Sequence, residues 1–469
     1  MTISRRNLLK GIGATTLSAA TLGTLGSALT GFQAANAAEV SGYKALVCIF
    51  MYGGCDTHDV LLPYDQSSYD KFANIRSSLI NQYNGSRGRN QMLPLTPTNA
   101  ANFGGRQFAL PPEMSGLHGL FESGDAAIVA NTGPLIRPLT RAQWDSKTVP
   151  VPKQLFSHND QTSTWVASAP EGAVYGWGGR FADAAVNAGA NTNREFTTIT
   201  AMGNELFLTG QDVVPYQIGL NGAAEIDLLK RNQNSDISDL LHRHFAATGF
   251  NRGNLIEKDI ARIAEKSVVL NATYNEAVAN LIPLSTSFPQ TYLGAQLRSI
   301  ANTIAIRDNL LARRQVFFAG LGGFDTHSTQ AADLPNALTE VDQAITAFYA
   351  AVKEMGLGND VTIFTASDFG RTLSVNGDGT DHGWGSHHFV VGSAVQGQQI
   401  YGTVPPPEFN HDHDAGGGRL IPTTSVEQYA EPFGRWFGLS NAELAVALPN
   451  LGNFSASSSA VQGILPTGS

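Results

Sequence analysis

Short apolar runs alternate along the chain with longer helical patterns. The runs are rich in β-branched and aromatic residues, which is typical of buried strands. They cover Ala45–Tyr52, Ala126–Ala130, Thr197–Ala201, Gln315–Leu321, Val361–Ala366 and Phe389–Ala394. Apolar residues at helical spacing predict helices over Leu255–Leu281, Tyr292–Arg313, Leu334–Met355 and Ser425–Phe437. Strands that alternate with helices predict an α/β fold, in which a mostly parallel central sheet is covered by helices on both faces.

The patterns also suggest how the chain is divided. Residues 1–37 form a leader, and residues 38–469 have the length of one large α/β domain. Within that domain the segment from about 227 to 309 is almost wholly helical in pattern, so we expect a helical insertion on the sheet. The tail over 454–469 is rich in Ser and Gly, and we expect it to be flexible.

The leader has the three parts of a twin-arginine signal peptide. It opens with Arg5 and Arg6, continues through a weakly apolar stretch, and ends in the small-x-small cleavage pattern Ala35-Asn36-Ala37. Glycine, serine and threonine dilute the apolar stretch, which disfavours a stable membrane anchor. The sequence therefore predicts recognition by the twin-arginine translocase and a working chain in the periplasm or outside the cell.

The charge of the chain limits the kinds of partner that it can bind. The formal net charge is −9, and the leader contributes only positive charge to it, so the working chain is more acidic still. An acidic chain is a poor candidate for binding nucleic acid, and we expect no such partner.

Cys48 lies in a predicted strand and Cys55 in the loop after it. This places them too far apart for a disulfide, so both are expected to be free thiols.

Three of the strand patterns are followed by an aspartate. Asp56 comes shortly after the first strand. Asp325 follows the run that ends near Leu321, and Asp368 is the residue directly after the run VTIFTAS. Ligands of parallel sheets bind beyond the carboxyl ends of the strands. Three acids that converge there repel one another unless a cation holds them. The pattern therefore predicts a metal site, although a lone aspartate after a strand is also a common turn former or helix cap.

Histidines accompany these acids. Asp325 and His327 are two residues apart, so both side chains lie on one side of an extended segment. Asp381 and His382 form a second pair in a glycine-framed loop. Mixed carboxylate and imidazole ligands suit Zn²⁺, Mn²⁺ or Fe, and Zn²⁺ is the expected ion.

Several motifs together resemble one exported bacterial family. They are YGGCDTHD, SHNDQTSTW, GGFDTHSTQ, SDFGRTLSVNGDGTDHGWGSHH and EQYAEPFGRWFGL. With the leader, they make almost the whole chain similar to the domain of unknown function 1501 family. That family is grouped with the alkaline phosphatase and sulfatase superfamily. The resemblance therefore implies an alkaline phosphatase-like α/β sandwich with a two-metal site at the strand ends.

The resemblance also implies ligands for the metal. The positions that match the superfamily's metal-site residues are Asp56, Asp325, His327, Asp368 and His382. Phe369 stands where the S/T-x-D-H-G pattern of the superfamily has a histidine ligand. One ligand of the second ion is therefore missing, and we expect one or two ions.

The superfamily uses a nucleophile at a helix N-terminus, where the helix favours an anion and a more acidic hydroxyl. Ser157 and Thr162, in SHNDQTSTW, are the candidates in the corresponding part of the chain. Helix capping is the alternative role for them. Arg371 is the candidate contact for an anionic group of the substrate, with a surface ion pair as its alternative role.

These observations predict an exported, metal-dependent hydrolase of phosphate or sulfate esters that uses Lewis-acid polarisation and acts on a small anionic ester. The alternative is a non-catalytic exported binding or assembly protein on the same scaffold. The phenylalanine at position 369, in place of a histidine ligand, favours this alternative. A redox or oxygenase enzyme with two histidines and one carboxylate is a third possibility. The additional acids at the strand ends speak against it.

Overall fold

The computed structural model describes residues 40–220, 222–224, 255–454 and 461–467, with positions 236, 239–241 and 243 between them. The predicted leader lies outside these residues, as do much of the first half of the predicted helical insertion and part of the predicted tail. In the described part of that tail, Val461 and Ile464 are buried. The limits of the leader, insertion and tail stay predictions.

Strands form where the apolar runs predict them. Among the described residues they are β1 (Lys44–Met51), β2 (Leu62–Pro63), β3 (Leu93–Pro94), β4 (Phe108–Leu110), β5 (Ala126–Gly133), β6 (Thr198–Thr200), β7 (Tyr216–Gln217), β8 (Arg314–Leu321), β9 (Val361–Ser367), β10 (Ser386–Val391), β11 (Ile400–Tyr401) and β12 (Thr424–Ser425). All six predicted strands are confirmed. The largest shift is in β10, which begins at Ser386 rather than at Phe389.

Helices separate most of these strands. They are α1 (Gln66–Ile75), α2 (Ser77–Ile80), α3 (Ser115–Glu122), α4 (Arg141–Ser146), α5 (His158–Ala167), α6 (Trp177–Asn187), α7 (Leu255–Ala279), α8 (Tyr292–Ala305), α9 (Gln330–Glu354), α10 (Val426–Phe437) and α11 (Asn441–Ala447). The predicted end of α8 at Arg313 is wrong. The helix stops at Ala305, because the chain has to reverse through a series of turns before β8 begins.

The main sheet is mostly parallel. Among the described residues its nine strands follow the order β11-β5-β10-β9-β1-β8-β6-β7, with β12 paired to β5. β1 pairs in parallel with β8 and β9, and β6 pairs in parallel with β7 and β8. β10 is antiparallel to both of its neighbours, β5 and β9. A small second sheet joins β2, β4 and β3. The predicted α/β class is confirmed.

Side chains of β1 alternate between two apolar layers, as the two-residue period of a strand requires. Val47 and Ile49 pack in the layer that contains α8 and α9. Leu46 and Cys48 pack in the layer that contains α6 and α10. Helices therefore cover both faces of the sheet. Cys48 and Cys55 are both buried free thiols, and no helix in the described residues is long and apolar enough to cross a bilayer.

Three neighbouring strands end at one edge of the sheet. In the register of β9, β1 and β8, Met51 lies beside both Leu321 and Ser367. Gly53 lets the loops after β1 and β8 meet there. Its φ is +114°, and a Cβ on it would lie 2.4 Å from the backbone nitrogen of Asp325. This edge is where the sequence places the predicted acids, so the fold brings several of them within reach of one another.

Candidate metal centre at the strand ends

Four chain segments bring side chains to this edge. Asp325 follows β8, and Asp368 is the residue directly after β9. His382 precedes β10, whose antiparallel direction makes it begin at the edge where β9 ends. His158 is the first residue of α5. The site is therefore assembled from residues far apart in the sequence.

Imidazole nitrogens and a carboxylate converge within this site. Asp325 Oδ1 lies 3.2 Å from His327 Nε2 and 3.3 Å from His382 Nε2. The two Nε2 atoms lie 2.8 Å apart. The other carboxylate oxygen of Asp325 lies 3.5 Å from His158 Nε2. Ligand atoms of His158, Asp325 and His382 all fall within 4.8 Å of one another.

The hydrogen bonds of the Nδ1 atoms of His158 and His382 indicate that the Nε2 atom of each neutral ring carries no proton. His382 Nδ1 lies 2.8 Å from the carbonyl oxygen of Phe156, which only accepts, so Nδ1 carries the proton. His158 Nδ1 lies 2.6 Å from Oδ2 of Asp368 and donates to that carboxylate. In the neutral rings, both Nε2 atoms therefore direct a lone pair toward Asp325. Burial lowers the pKa of His382, which favours its neutral form.

This donor set fits a transition-metal ion. With Zn–N bonds of about 2.0–2.1 Å, ligand atoms of a tetrahedral site lie roughly 3.3 Å apart. The separations from Asp325 to the three histidines have that size. Each of His158 and His382 also has its second nitrogen held by an acceptor, as metal-bound histidines usually do.

Asp368 lies behind His158 rather than beside Asp325. One of its oxygens holds His158, and both lie 3.3 Å from the backbone nitrogen of Gly53. The hydrogen bond to Asp368 raises the pKa of His158 above its ordinary value. The predicted ligand role of Asp368 is not tested, but in this geometry its carboxylate orients a histidine.

Arg371 is buried and connects the loops that contain Gly53, Asp325 and Thr380 through hydrogen bonds. Its buried guanidinium donates to the carbonyl oxygen of Gly53, to Thr380 and to Asp325 Oδ1, the last over 3.0 Å. Burial acts to raise the pKa of Asp325, but the hydrogen bond and the charge of Arg371 outweigh it and hold that pKa below its ordinary value. Arg371 therefore keeps Asp325 charged and in place. Its predicted contact with substrate stays a prediction.

Phe369 forms the apolar wall of the site. Its ring lies 4.8 Å from the ring of His158 and 4.6 Å from the ring of His382, between centroids. The ring of Phe369 has no atom that could bind a metal ion, and the ring of His158 packs against it.

Asp56 is not brought to the cluster. Its buried carboxylate receives two hydrogen bonds from Arg76, of 2.6 and 3.1 Å, and one of 2.6 Å from Gln330. Gln330 in turn accepts from Thr380, which connects Asp56 to Arg371. The sequence could place Asp56 at the correct edge of the sheet, but not the direction of its side chain.

Ser157 and Thr162 lie at the start and in the middle of α5. Ser157 occupies the capping position, yet its side chain makes no capping hydrogen bond and donates instead to Asp160 over 3.1 Å. Thr162 is half-buried on the same helix. Of the two candidates, Ser157 is the one directly adjacent in sequence to a residue of the cluster.

Sequence reasoning missed His158. It lies in the motif SHNDQTSTW at the start of a helix, whereas the predicted acids follow strands. Its position directly after the candidate nucleophile was the available signal.

Residues 43–447 match the model of the family described as "Protein of unknown function (DUF1501)". A search of curated proteins finds no match to this chain.

Solved structures similar to this chain include the C-terminal periplasmic domain of EcEptC from Escherichia coli, in a complex with Zn. It is 9% identical, covers 85% of this chain and 84% of its own, and has a TM-score of 0.33. The PsFucS1 sulfatase from Pseudoalteromonas sp. is 9% identical, with coverage of 96% and 77% and a TM-score of 0.33. Alkaline phosphatase from the Antarctic bacterium TAB5 is 10% identical, with coverage of 76% and 93% and a TM-score of 0.26. Because these TM-scores are below 0.5, function has to be argued from the residues of this chain.

Proposed function

The chain belongs to the DUF1501 family, whose function is unknown, and from that premise we propose that it is an exported metal-dependent hydrolase of phosphate or sulfate esters. The observation that carries the proposal is the convergence of Asp325 Oδ1, His327 Nε2 and His382 Nε2 within 3.3 Å of one another. Carboxylate and imidazole donors at that spacing suit Zn²⁺.

One ion is expected rather than two. Asp325, His158 and His382 would hold it, since their ligand atoms lie within 4.8 Å of one another, and His327 Nε2 lies beside them, 3.2 Å from Asp325 Oδ1 and 2.8 Å from His382 Nε2. The further acid that a second ion would need, Asp56, is occupied by Arg76 and Gln330. A divalent ion held in this site supplies Lewis-acid polarisation of an ester oxygen.

The residues of the chain prepare the site for an anionic ester. The side chains of Asp325 and His327 are 47% and 44% exposed, so a substrate can reach them. The side chain of Ser157 leaves the first-turn N–H groups of α5 uncapped, and such groups favour a phosphate or sulfate. We infer that Ser157 Oγ is the nucleophile and that Asp160, which accepts its hydrogen bond, receives the proton.

The test is metal content and turnover of the protein purified after export through its own leader. We expect about one equivalent of metal per chain, mainly zinc, and hydrolysis of an aryl phosphate or an aryl sulfate. Asp325→Asn is expected to lose both. Asp412→Asn is the matched control, because Asp412 is exposed and lies outside the cluster.

Three results would separate the components of the proposal. Wild-type protein without metal would contradict the metal centre. Metal-bound protein that hydrolyses neither ester would contradict the hydrolase and favour a non-catalytic exported binding protein. One observation favours that second function: the guanidinium of Arg371 already donates hydrogen bonds to Gly53, Thr380 and Asp325. Turnover that persists in Ser157→Ala would contradict the assigned nucleophile alone.

A further inference from the structure

We propose a second ligand site, which shares no residue with the strand-end cluster and binds a small carboxylate with an apolar tail. It lies between α7, α8 and the segment 281–290 that connects them. The proposal depends on a cavity, on two polar side chains without partners among the described residues, and on walls that are already held in place.

The space consists of two adjoining cavities. One of about 400 Å³ is lined by Val278, Leu281, Phe288, Arg298 and Asn302 among others. The other, of about 330 Å³, shares Val278, Arg298 and Asn302 with the first and adds Tyr274. Volumes of this size are within the range of small-molecule sites. The shared residues make Arg298 and Asn302 the polar groups common to both cavities.

Arg298 and Asn302 are one helical turn apart on α8, so their side chains lie next to each other. Within the part of the chain that the structure describes, the guanidinium of Arg298 has no hydrogen bond and no ion pair. The amide of Asn302 has no hydrogen bond there either. Both residues are half-buried. The two cavities therefore share a guanidinium and an adjacent amide that have no protein partner among the described residues, and the apolar side chains of Val278, Leu281 and Phe288 lie beside them.

The walls of the cavities are preformed. Both oxygens of Glu354, on α9, accept hydrogen bonds from the loop before α8, from the backbone nitrogens of Ser285 and Thr286 over 2.6 and 2.9 Å. On the other side, the side chain of Asn275 holds both backbone groups of Ala223. A ligand would therefore not have to order the walls when it binds, which reduces the entropic cost of binding.

The chemistry of the lining selects the ligand. A guanidinium binds a carboxylate through two parallel hydrogen bonds, and a neighbouring amide can donate a third. The side chains of Val278, Leu281 and Phe288 offer an apolar surface to a hydrocarbon chain. A monocarboxylate with a short alkyl chain satisfies both requirements, whereas an amine would be repelled by Arg298.

Calorimetric titration of the purified protein with octanoate tests the site, with octanol as the uncharged comparison. We expect one saturable octanoate site, and weaker binding of octanol. Arg298→Met keeps the length and apolar stem of the side chain, and is expected to weaken octanoate binding about tenfold or more. Leu281→Glu places a carboxylate in the wall and is expected to weaken it similarly, although Arg298 is intact.

Arg313→Met is the matched control, because Arg313 is exposed and lines neither cavity. Its octanoate affinity should equal that of the wild type. Equal binding of octanoate to folded Arg298→Met and wild type would overturn the proposal. So would equal affinity for octanol and octanoate, or the absence of a saturable site. Turnover of aryl esters should not change in Arg298→Met, so this test is independent of the metal centre.

Discussion

His158 Nδ1 lies 2.6 Å from Asp368 Oδ2, and this contact directs the opposite nitrogen of the ring toward Asp325. A carboxylate behind a histidine fixes the ring orientation and makes the facing nitrogen a better ligand. The contact joins a residue that follows a strand of the sheet to one that begins a helix, and it separates two roles that the sequence could not distinguish. In the proposed metal centre Asp325 is a ligand, and Asp368 orients a second ligand, His158.

Asp368→Asn should therefore weaken metal binding without abolishing it. Loss of a carboxylate that supports a histidine ligand typically costs about 10- to 100-fold in metal affinity. His158→Ala, which removes the ligand itself, should cost more. Competition with a chelator measures both affinities, and Asp412→Asn serves as the unaffected control. If Asp368→Asn removed the metal as completely as Asp325→Asn, Asp368 would be a direct ligand.

Asp56→Asn should destabilise the fold while leaving the metal stoichiometry unchanged. Arg76 is buried and gives two hydrogen bonds to this carboxylate. Breaking a buried ion pair by changing one partner costs about 3–5 kcal/mol. Urea unfolding measures the loss. Metal content measured on the fraction that remains folded checks the second part.

The double variant Asp56→Leu/Arg76→Met controls for the unpaired charge. It removes both charges, so it should recover part of the stability that Asp56→Asn loses. Metal loss in either variant, with the protein folded, would restore Asp56 to the ligand set.

The contacts of Asp56 show which features of the site the sequence could not predict. The strands and their alternation with helices could be predicted, because burial imposes the apolar pattern directly. Asp325, His327 and His382 could be named because the ends of β8 and β9 and the start of β10 share one edge of the sheet. Asp56 follows a strand at the same edge, but its carboxylate points toward Arg76, which donates two hydrogen bonds to it. The position of Arg76 depends on tertiary packing.

His158 is the converse case. It meets Asp368 across a separation of 210 residues. No spacing pattern within its own helix indicates that contact. Only the packing of α5 beside the end of β9 creates the contact, so the sequence could indicate His158 through its neighbour Ser157 but not through Asp368.

Acid should destabilise the fold through two buried histidines. Burial lowers the pKa of His387 and of His388 to about 3, whereas unfolded histidine titrates near about 6.5. Between these values the unfolded chain binds more protons than the native one, so stability falls as the pH drops below about 6.5. Each residue contributes at most about 1.4 kcal/mol per pH unit.

The free energy of unfolding in urea, measured from pH 7 to pH 5, tests this dependence. His388→Gln removes one titrating group and should give a shallower slope. His118→Gln is the control, because the ring of His118 contacts the carbonyl oxygen of Pro94 at the surface, and its slope should match the wild type. A slope unchanged by His388→Gln would show that this histidine is not the source of acid sensitivity.

Export should depend on the two arginines of the leader. Twin-arginine signals are addresses read by a receptor, and Arg5 and Arg6 begin the stretch SRRNLLK. The double change Arg5→Lys/Arg6→Lys keeps the charge and removes the address, so we expect the uncleaved precursor to accumulate inside the cell. Lys10→Arg keeps the same charge outside the arginine pair, and export should continue.

The same experiment connects the leader to the metal centre. The proposed ligands His158, Asp325 and His382 span much of the chain, so the site that we propose exists only after folding. A route that carries folded proteins would let the ion bind before export. Replacing the leader with one that exports unfolded chains should therefore lower the zinc content of the exported protein, measured per chain by elemental analysis. Equal zinc content by both routes would show that the site acquires its ion after export.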